Sequence, residues 1–433
     1  MLPAGPVLIS YRQSDGTSTA VALAWLLRAA GVPVWQDQTD LPPGDTNERL
    51  AEALDGGLSG ACLVTTEDIA KSGVVRTIEL PELLDLARDP AFTLVVANNV
   101  RKAQPSTGLD YGAPDRLLGQ PAKLAAFKQY PADTRAGLIQ IVGELLDARA
   151  ARVRSRHELT GPEQLRISVQ TRGRPQAHPG DGADLSLRLR PAAHGRLPDA
   201  DGLVDLQATL PLLPRALGKA AATAVRVTGG AHLSVAFAFG AALPTTLLPT
   251  LVVEDGTRGV WSCGSVSMTG TEVLTHVAAH GMRPLKATGV RREVLAYVDL
   301  LPTPSDAAFT RLLAENEFDA HEHVRPTIGG LLDPASSGPL IEEIADRLRS
   351  LVQRHDHARL HLLLRCPFPV AVLLGRLCNT LRVVVYEWDD TEFPGDPDAR
   401  PRYVPTLQVQ ATHAHGPVTD VLLEASPMTG TTA

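Results

Sequence analysis

Arg365 is the one charge inside the run His361-Leu-Leu-Leu-Arg-Cys-Pro-Phe368. A guanidinium in such a strand must reach solvent, an acid or an anionic ligand, because burying it unpaired is costly. Two partners stay open: an anionic ligand at the strand end, or an acid such as Glu387 or Asp389 on the later strand that ends near Trp388. Near the N-terminus, Val7-Leu-Ile-Ser-Tyr-Arg12 is a short apolar strand followed at once by a hydroxyl, an aromatic face and a cation. Glu79 and Glu82, within SGVVRTIELPEL, are carboxylates close to a helix start, where the positive end of the helix dipole favours negative charge. Pro81 between them interrupts the helical hydrogen-bond ladder.

Several other chemistries lack their residues. No GxGxxG follows a strand, since Gly56, Gly57 and Gly60 come before one, so a Rossmann-type dinucleotide cradle is absent. A phosphoreceiver needs paired acids after its first strand and an aspartate after its third, where this chain has Ser10-Tyr11-Arg12 and Thr65-Thr66. Cys62, Cys263, Cys366 and Cys378 show no CxxC or Cys/His metal spacing, so no metal site is expected and the thiols read as reduced core residues of a cytosolic protein.

The elements that must position these residues alternate between strand and helix, the pattern of an α/β protein with a parallel sheet and flanking helices. Strands are expected at 7–10, 32–35, 61–65 and 93–97, with helices at about 17–30, 46–54 and 82–88. A helix over about 136–151 has an apolar stripe at Leu138, Ile141, Val142 and Leu145. Its basic tail, with Arg149, Arg152, Arg154 and Arg156, reads as a solvated linker face that ends at Gly161-Pro162. Two domains follow, 1–155 and 162–433, with the second divided into halves at about 162–285 and 286–433. That division comes from an internal echo. His232-Leu-Ser-Val-Ala-Phe-Ala-Phe239, read as a strand, lines up with His361–Phe368, and each run leads to an extended stretch ending in tryptophan, Trp261 or Trp388. In this alignment Ala236 is the counterpart of Arg365.

The formal charge of −7 opposes long nucleic acid as a partner but leaves room for a small anion held by a few cations. No secretory signal is expected at the N-terminus. Residues 232–253 carry no charge, but Pro244 and Pro249 interrupt them, so a buried strand, turn and helix is expected there rather than a membrane span.

The first segment, through roughly residues 5–150, resembles the TIR family. Val7–Arg12 resembles its first box; Gly31-Val-Pro-Val-Trp35, with Asp37 and Asp40-Leu-Pro-Pro-Gly44, resembles its second box and loop. The resemblance implies a flavodoxin-like fold and, in members that cleave NAD+, one glutamate at the start of the helix after strand three. By the family's spacing Glu79 takes that position, Val75 stands where a tryptophan is usual, and Glu82 is the alternative acid. The same resemblance gives Ser10, Tyr11, Arg12, Trp35, Asp37 and Asp40 to an NAD+ pocket, with Trp35 equally readable as core and the aspartates as loop caps.

The second segment resembles the SAVED family, sensor domains of bacterial anti-phage systems built from two fused CARF-like halves. The echo carries this, with the strand ends Asp299-Leu-Leu-Pro-Thr-Pro304 and Arg365-Cys-Pro-Phe368. It implies a cyclic oligonucleotide, a cyclic trinucleotide, bound where the halves meet, with Phe237, Phe239, Arg365, Phe368 and Trp388 as strand-end contacts. The joint expectation is a cytoplasmic NAD+ hydrolase that needs no cofactor, makes no membrane contact, and assembles into a homo-oligomer or filament when the sensor fills. A non-catalytic TIR scaffold is the alternative.

Overall fold

The computed structural model describes residues 5–35, 57–103, 108–120, 123–161, 164–172, 182–192, 195–257, 259–264, 274–279, 291–326, 330–390 and 401–424. The chain divides into two compact units, one of residues 1–168, 175–188 and 215–222, the other of residues 169–174, 189–214 and 223–433. Asp37, Asp40 and the helix expected at 46–54 lie outside the described residues.

In the first unit, strands β1 (Val7–Ser10), β2 (Val34–Trp35), β3 (Gly60–Thr65), β4 (Thr93–Asn98) and β5 (Lys128–Pro131) form one sheet in the order β2-β1-β3-β4-β5. Every neighbouring pair is parallel. A central parallel strand is covered on both faces, which is why all six residues of β3, GACLVT, are buried. Helix α1 (Gln13–Ala29) buries the stripe Ala20, Leu23, Ala24 and Leu27 expected from its spacing. After β3, Val75–Glu79 make a π turn that leads into α2 (Leu80–Leu86). Pro81 explains that turn: it has no N–H for an i→i−4 bond, and the ladder shifts one residue, with Leu80 N–H donating to the Val75 carbonyl. A short helix α3 (Ala113–Leu118) and β5 follow where the sequence pattern is irregular.

Helix α4 runs from Arg135 to Thr160, with the Thr134 hydroxyl accepting from Gly137 N–H at its start. Its basic end corrects the linker expected there. Arg149 is buried and donates to the carbonyls of Asp184 and Gly5; Arg152 donates to the Ala91 carbonyl, and Arg156 pairs with Asp184. Only Arg154, paired with Glu158 one turn on, keeps the solvated role. Strands β6 (Leu165–Gln170) and β7 (Leu185–Arg188) follow α4.

The second unit opens with α5 (Ala200–Thr209), then β8 (Ala224–Gly230), α6 (Leu233–Ala241), β9 (Thr250–Glu254) and β10 (Val260–Trp261). Strand β8 pairs parallel to β9 and β9 antiparallel to β10. The strands β11 (Leu274–Ala279), β12 (Glu293–Asp299), β13 (Ala320–Pro326), β14 (Arg359–Arg365), β15 (Val383–Asp389), β16 (Arg402–Val409) and β17 (Val418–Val421) form a sheet of order β11-β13-β12-β14-β15-β16-β17. Helices α7 (Ala307–Glu315), α8 (Gly338–Arg354) and α9 (Phe368–Leu377) connect its parallel strands.

The internal repeat is present in a different register from the one expected. His232–Phe239 is not a strand: Leu233–Ala241 is a helix, so apolar on every side that its period carries no face signal. One constant offset carries Ala224–Gly230 of β8 onto Arg359–Arg365 of β14, His232 onto Pro367, and Gly240 onto Gly375. His232 (φ −58°, ψ 141°) and Pro367 (φ −58°, ψ 147°) enter their helices with the same backbone. The counterpart of Arg365 is therefore Gly230 rather than Ala236. Helices α6 and α9 pack through reciprocal glycines: a Cβ on Gly240 would overlap the Val372 carbonyl oxygen, and one on Gly375 the Phe237 carbonyl oxygen. Val372 and Phe237 are themselves related by the offset, so the contact is a local pseudo-twofold.

Candidate functional site

In open α/β sheets a ligand crevice forms at the C-terminal strand ends where the strand order reverses. In the first unit that place lies between β1 and β3, whose pairing sets Ser10 opposite Leu63. Ser10, almost wholly buried, donates its hydroxyl to the Glu79 carboxylate, which is half-buried at the end of the π turn. The contact joins positions 69 residues apart. Glu82 is exposed on the next turn.

The neighbouring residues divide by role. Tyr11 is buried beside Ser10, and Arg12 precedes α1 with its guanidinium 3.0 Å from Asp15. Trp35 is 8% exposed and belongs to the hydrophobic cluster that holds Leu63, Ile69, Val75 and Leu80. Val75 is equally a core residue, so the position given to tryptophan by the family spacing is filled by an aliphatic side chain. Sequence reasoning passed over Thr65, Thr66 and Asn99 as site residues. They sit at the same strand ends, and Thr65 Oγ1, Thr66 Oγ1 and Asn99 Oδ1 are buried with no hydrogen-bond partner among the described residues. A polar pair closing an apolar strand was the available signal. Asn98 is a turn anchor, donating to the Asp110 carbonyl and Gln129 and accepting from Val100 N–H.

In the second unit the strand order reverses between β12 and β14, and the pair at their ends is Asp299 and Arg365. Arg365 donates to Asp299 at 2.7 Å and to the Thr303 carbonyl. Its acid partner is thus neither Glu387 nor Asp389: Glu387 accepts Ser234 N–H at 2.6 Å, and Asp389 pairs with Arg402 at 3.1 Å. Arg325 pairs with Asp306 and stands 3.7 Å from Asp299. Tyr297 donates its hydroxyl to the Ser305 carbonyl, and His323 stacks on its ring at 4.6 Å. Burial is the main cause that lowers the His323 pKa, keeping the ring neutral, and burial pushes the Tyr297 phenol up to about 12. Asp299, Asp306 and His323 also lie close enough to share a cation, although both arginines already neutralise the acids.

The expected aromatic contacts separate. Phe237 and Phe239 are on α6, 1% and 0% exposed, and not at strand ends; core packing takes them both. Phe368 is the first residue of α9 and partly buried. Trp388, near the end of β15, is partly buried, packs 6.4 Å from the Tyr403 ring, and keeps a buried Nε1 without a partner among the described residues. At the start of α6, His232 is fully buried and its Nδ1 pairs with Thr171 Oγ1 at 2.8 Å. Burial, with Arg172 nearby, lowers its pKa to about 4.

Family models match both parts of the chain. The model for the TIR domain matches residues 7–111, and the model for SAVED, the "SMODS-associated and fused to various effectors sensor domain", matches residues 210–409. The chain joins a TIR domain to a SAVED domain. The chain is also similar to solved structures of the Acinetobacter baumannii Cap4 SAVED/CARF-domain containing receptor. With the cyclic trinucleotide 2'3'3'-cAAA that receptor gives a TM-score of 0.44 at 10% identity, and with 3'3'3'-cAAA 0.45 at 11%; each likeness covers 90% of this chain and 97% of the other. No curated protein matches the chain. The TIR match takes in β1 to β4 with Ser10 and Glu79, and the SAVED match takes in α6, α9, Asp299 and Arg365. Among the described residues no helix is long and apolar enough to cross a membrane. All four cysteines are free thiols.

Proposed function

We propose that the chain is a cytoplasmic NAD+ hydrolase switched on by a cyclic oligonucleotide, most simply a cyclic trinucleotide, as an effector of the CBASS type in bacterial anti-phage defence. The observation that carries the enzymatic half is the Glu79 carboxylate held by Ser10 at the β1/β3 reversal of a TIR sheet. Nicotinamide in NAD+ is already a cationic leaving group. Its bond to the ribose breaks with the electron pair going to the ring nitrogen, so departure needs no general acid. The positive charge that develops on the ribose is stabilised by a fixed carboxylate nearby, and the same carboxylate can accept hydrogen bonds from the ribose hydroxyls. Water then adds to the ribose and loses a proton.

The sensor half rests on the SAVED match and on the Asp299–Arg365 pair at the strand reversal of its sheet. In this reading Trp388 offers an indole face and N–H to a base, and Arg365 a cation to a phosphate. Filling of the sensor assembles copies into an oligomer or filament, in which contacts between copies complete the TIR pocket.

The test incubates the full chain with NAD+, alone and with each of a panel of cyclic di-, tri- and tetranucleotides, and measures nicotinamide. Release that depends on one cyclic nucleotide is the expected result. Release that ignores every cyclic nucleotide removes the activation half, and no release under any of them assigns the TIR domain to scaffolding.

A further inference from the structure

The parallel strands β12, β14 and β15 carry the Asp299–Arg365 pair at their C-terminal edge. Their N-terminal ends define the opposite edge of the same sheet, and a cavity of about 550 Å³ opens there. Arg291 reaches it from just before β12, His357 from the turn before β14, Arg382 from just before β15, and Arg349 from the last turns of α8. Val352 and Leu381, both buried, supply apolar wall.

Among the described residues the lining holds three guanidiniums and no carboxylate. Arg349 is engaged by Asp346, and Asp356, beside His357, is taken by Arg292 at 3.2 Å. Arg291 and Arg382 have no acid partner among the described residues, and both are exposed. Two uncompensated cations facing one concavity are a local excess in a chain whose net charge is −7. The turn beside them is also unusual: Asp356 (φ 55°) and His357 (φ 56°) are consecutive non-glycine residues in the left-handed region. Such conformations cost free energy and concentrate at ligand clamps.

We propose that this cavity binds a phosphorylated small molecule of nucleotide size, with its phosphate between Arg291 and Arg382. Guanidinium forks match phosphate oxygens in pairs. The volume lies in the range of small-ligand pockets, and the apolar wall suits a sugar or base. The site stands at the far edge of the sheet from Arg365, so it is separate from the sensor site proposed above and does not depend on it.

Isothermal titration of the full chain with pyrophosphate, ADP and adenosine tests the assignment. Pyrophosphate and ADP are expected to bind and adenosine not to bind. Arg291→Ala and Arg382→Ala should each weaken pyrophosphate and ADP at least ~10-fold, and the double variant should abolish both. Because both side chains are exposed, the melting temperature should stay at that of the wild type. Arg88→Ala, an exposed arginine of the TIR domain, should change nothing. The double variant should keep its affinity for a cyclic trinucleotide. Absence of pyrophosphate binding by the wild type, or binding unchanged in the double variant, overturns the proposal. So does joint loss of pyrophosphate and cyclic trinucleotide, which would make the cavity part of the sensing site. Altered sedimentation with unaltered pyrophosphate binding would make it an interface between copies and equally overturn it.

Discussion

The Ser10 hydroxyl donates to the Glu79 carboxylate at the strand reversal of the TIR sheet, joining two positions 69 residues apart. Glu79→Gln keeps size and hydrogen bonding but removes the charge. It should lower the rate of nicotinamide release by ~10²–10³-fold, the scale for losing one electrostatic stabiliser of a transition state. Glu82→Gln, on an exposed residue, should leave the rate near that of the wild type. Hydrolysis that survives Glu79→Gln and fails in Glu82→Gln would reverse the assignment.

Ser10→Ala tests the positioning role separately. Among the described residues the hydroxyl's hydrogen bond goes to the carboxylate, so its loss should lower kcat by ~10-fold or more while KM for NAD+ changes little. Ser10→Thr should recover part of the rate. A rise in KM with kcat unchanged would show instead that Ser10 contacts the nucleotide.

The reciprocal glycines of the SAVED domain predict a packing defect. Gly240→Ala and Gly375→Ala each place a methyl against a backbone carbonyl of the partner helix, which must move away. Each should lower unfolding free energy by ~1–3 kcal/mol in urea titrations. The two act on one helix contact, so the double variant should lose less than the sum. Full additivity would mean that the helices do not share this contact.

Why the duplication was legible but its register was not follows from these same residues. The four strands of the TIR sheet could be read as short apolar runs bounded by turn residues, and the stripe of α1 from its helical spacing, because a half-exposed helix shows a period. Leu233–Ala241 is buried all round, and nine apolar or small residues fit a strand as well as a helix. Two histidines and two tryptophans then offered a false alignment, whereas the true one is marked by Gly240 and Gly375, which matter through a backbone approach invisible in one sequence. Glu79 was reachable through family spacing alone. Its tie to Ser10 joins positions 69 residues apart, and the π turn that aims it arises from Pro81, which by local rules reads as a break. The arginines of α4 failed for a related reason: a basic run looks solvated until the carbonyls it serves are known.

His232 sets a pH dependence. Burial lowers its folded pKa to about 4 from the ordinary 6.5, and the charged neighbour that adds to the shift is Arg172. Between those values the unfolded chain binds the proton that the folded chain refuses. Stability from this group is therefore full above pH 6.5 and falls as pH drops toward 4, by about 3 kcal/mol at the limit. His232→Gln removes the proton linkage, so its unfolding free energy should fall less steeply between pH 7 and pH 5 than that of the wild type. Parallel curves would show that His232 does not titrate differently in the two states.

Arg365 and Asp299 can be separated because removing each partner leaves a different residue behind. Asp299 is 1% exposed, so Arg365→Ala strands a buried carboxylate whose remaining cation, Arg325, is 3.7 Å away. Breaking a buried pair in this way costs ~3–5 kcal/mol, and the residual contact with Arg325 places the expected loss at the low end. The free protein should melt earlier, which a surface position would not produce. Asp299→Asn removes the opposite partner and leaves the guanidinium with the Thr303 carbonyl and an unused charge. If Arg365 serves only the fold, the two variants should bind a cyclic trinucleotide equally well once folded. If it also meets a phosphate, affinity should fall ~10- to 100-fold in Arg365→Ala and hold or rise in Asp299→Asn, where the cation no longer has to leave its carboxylate. The asymmetric outcome is the one expected. Calorimetry at a temperature where both variants are fully folded reads it directly, and equal affinities would confine Arg365 to its ion pair.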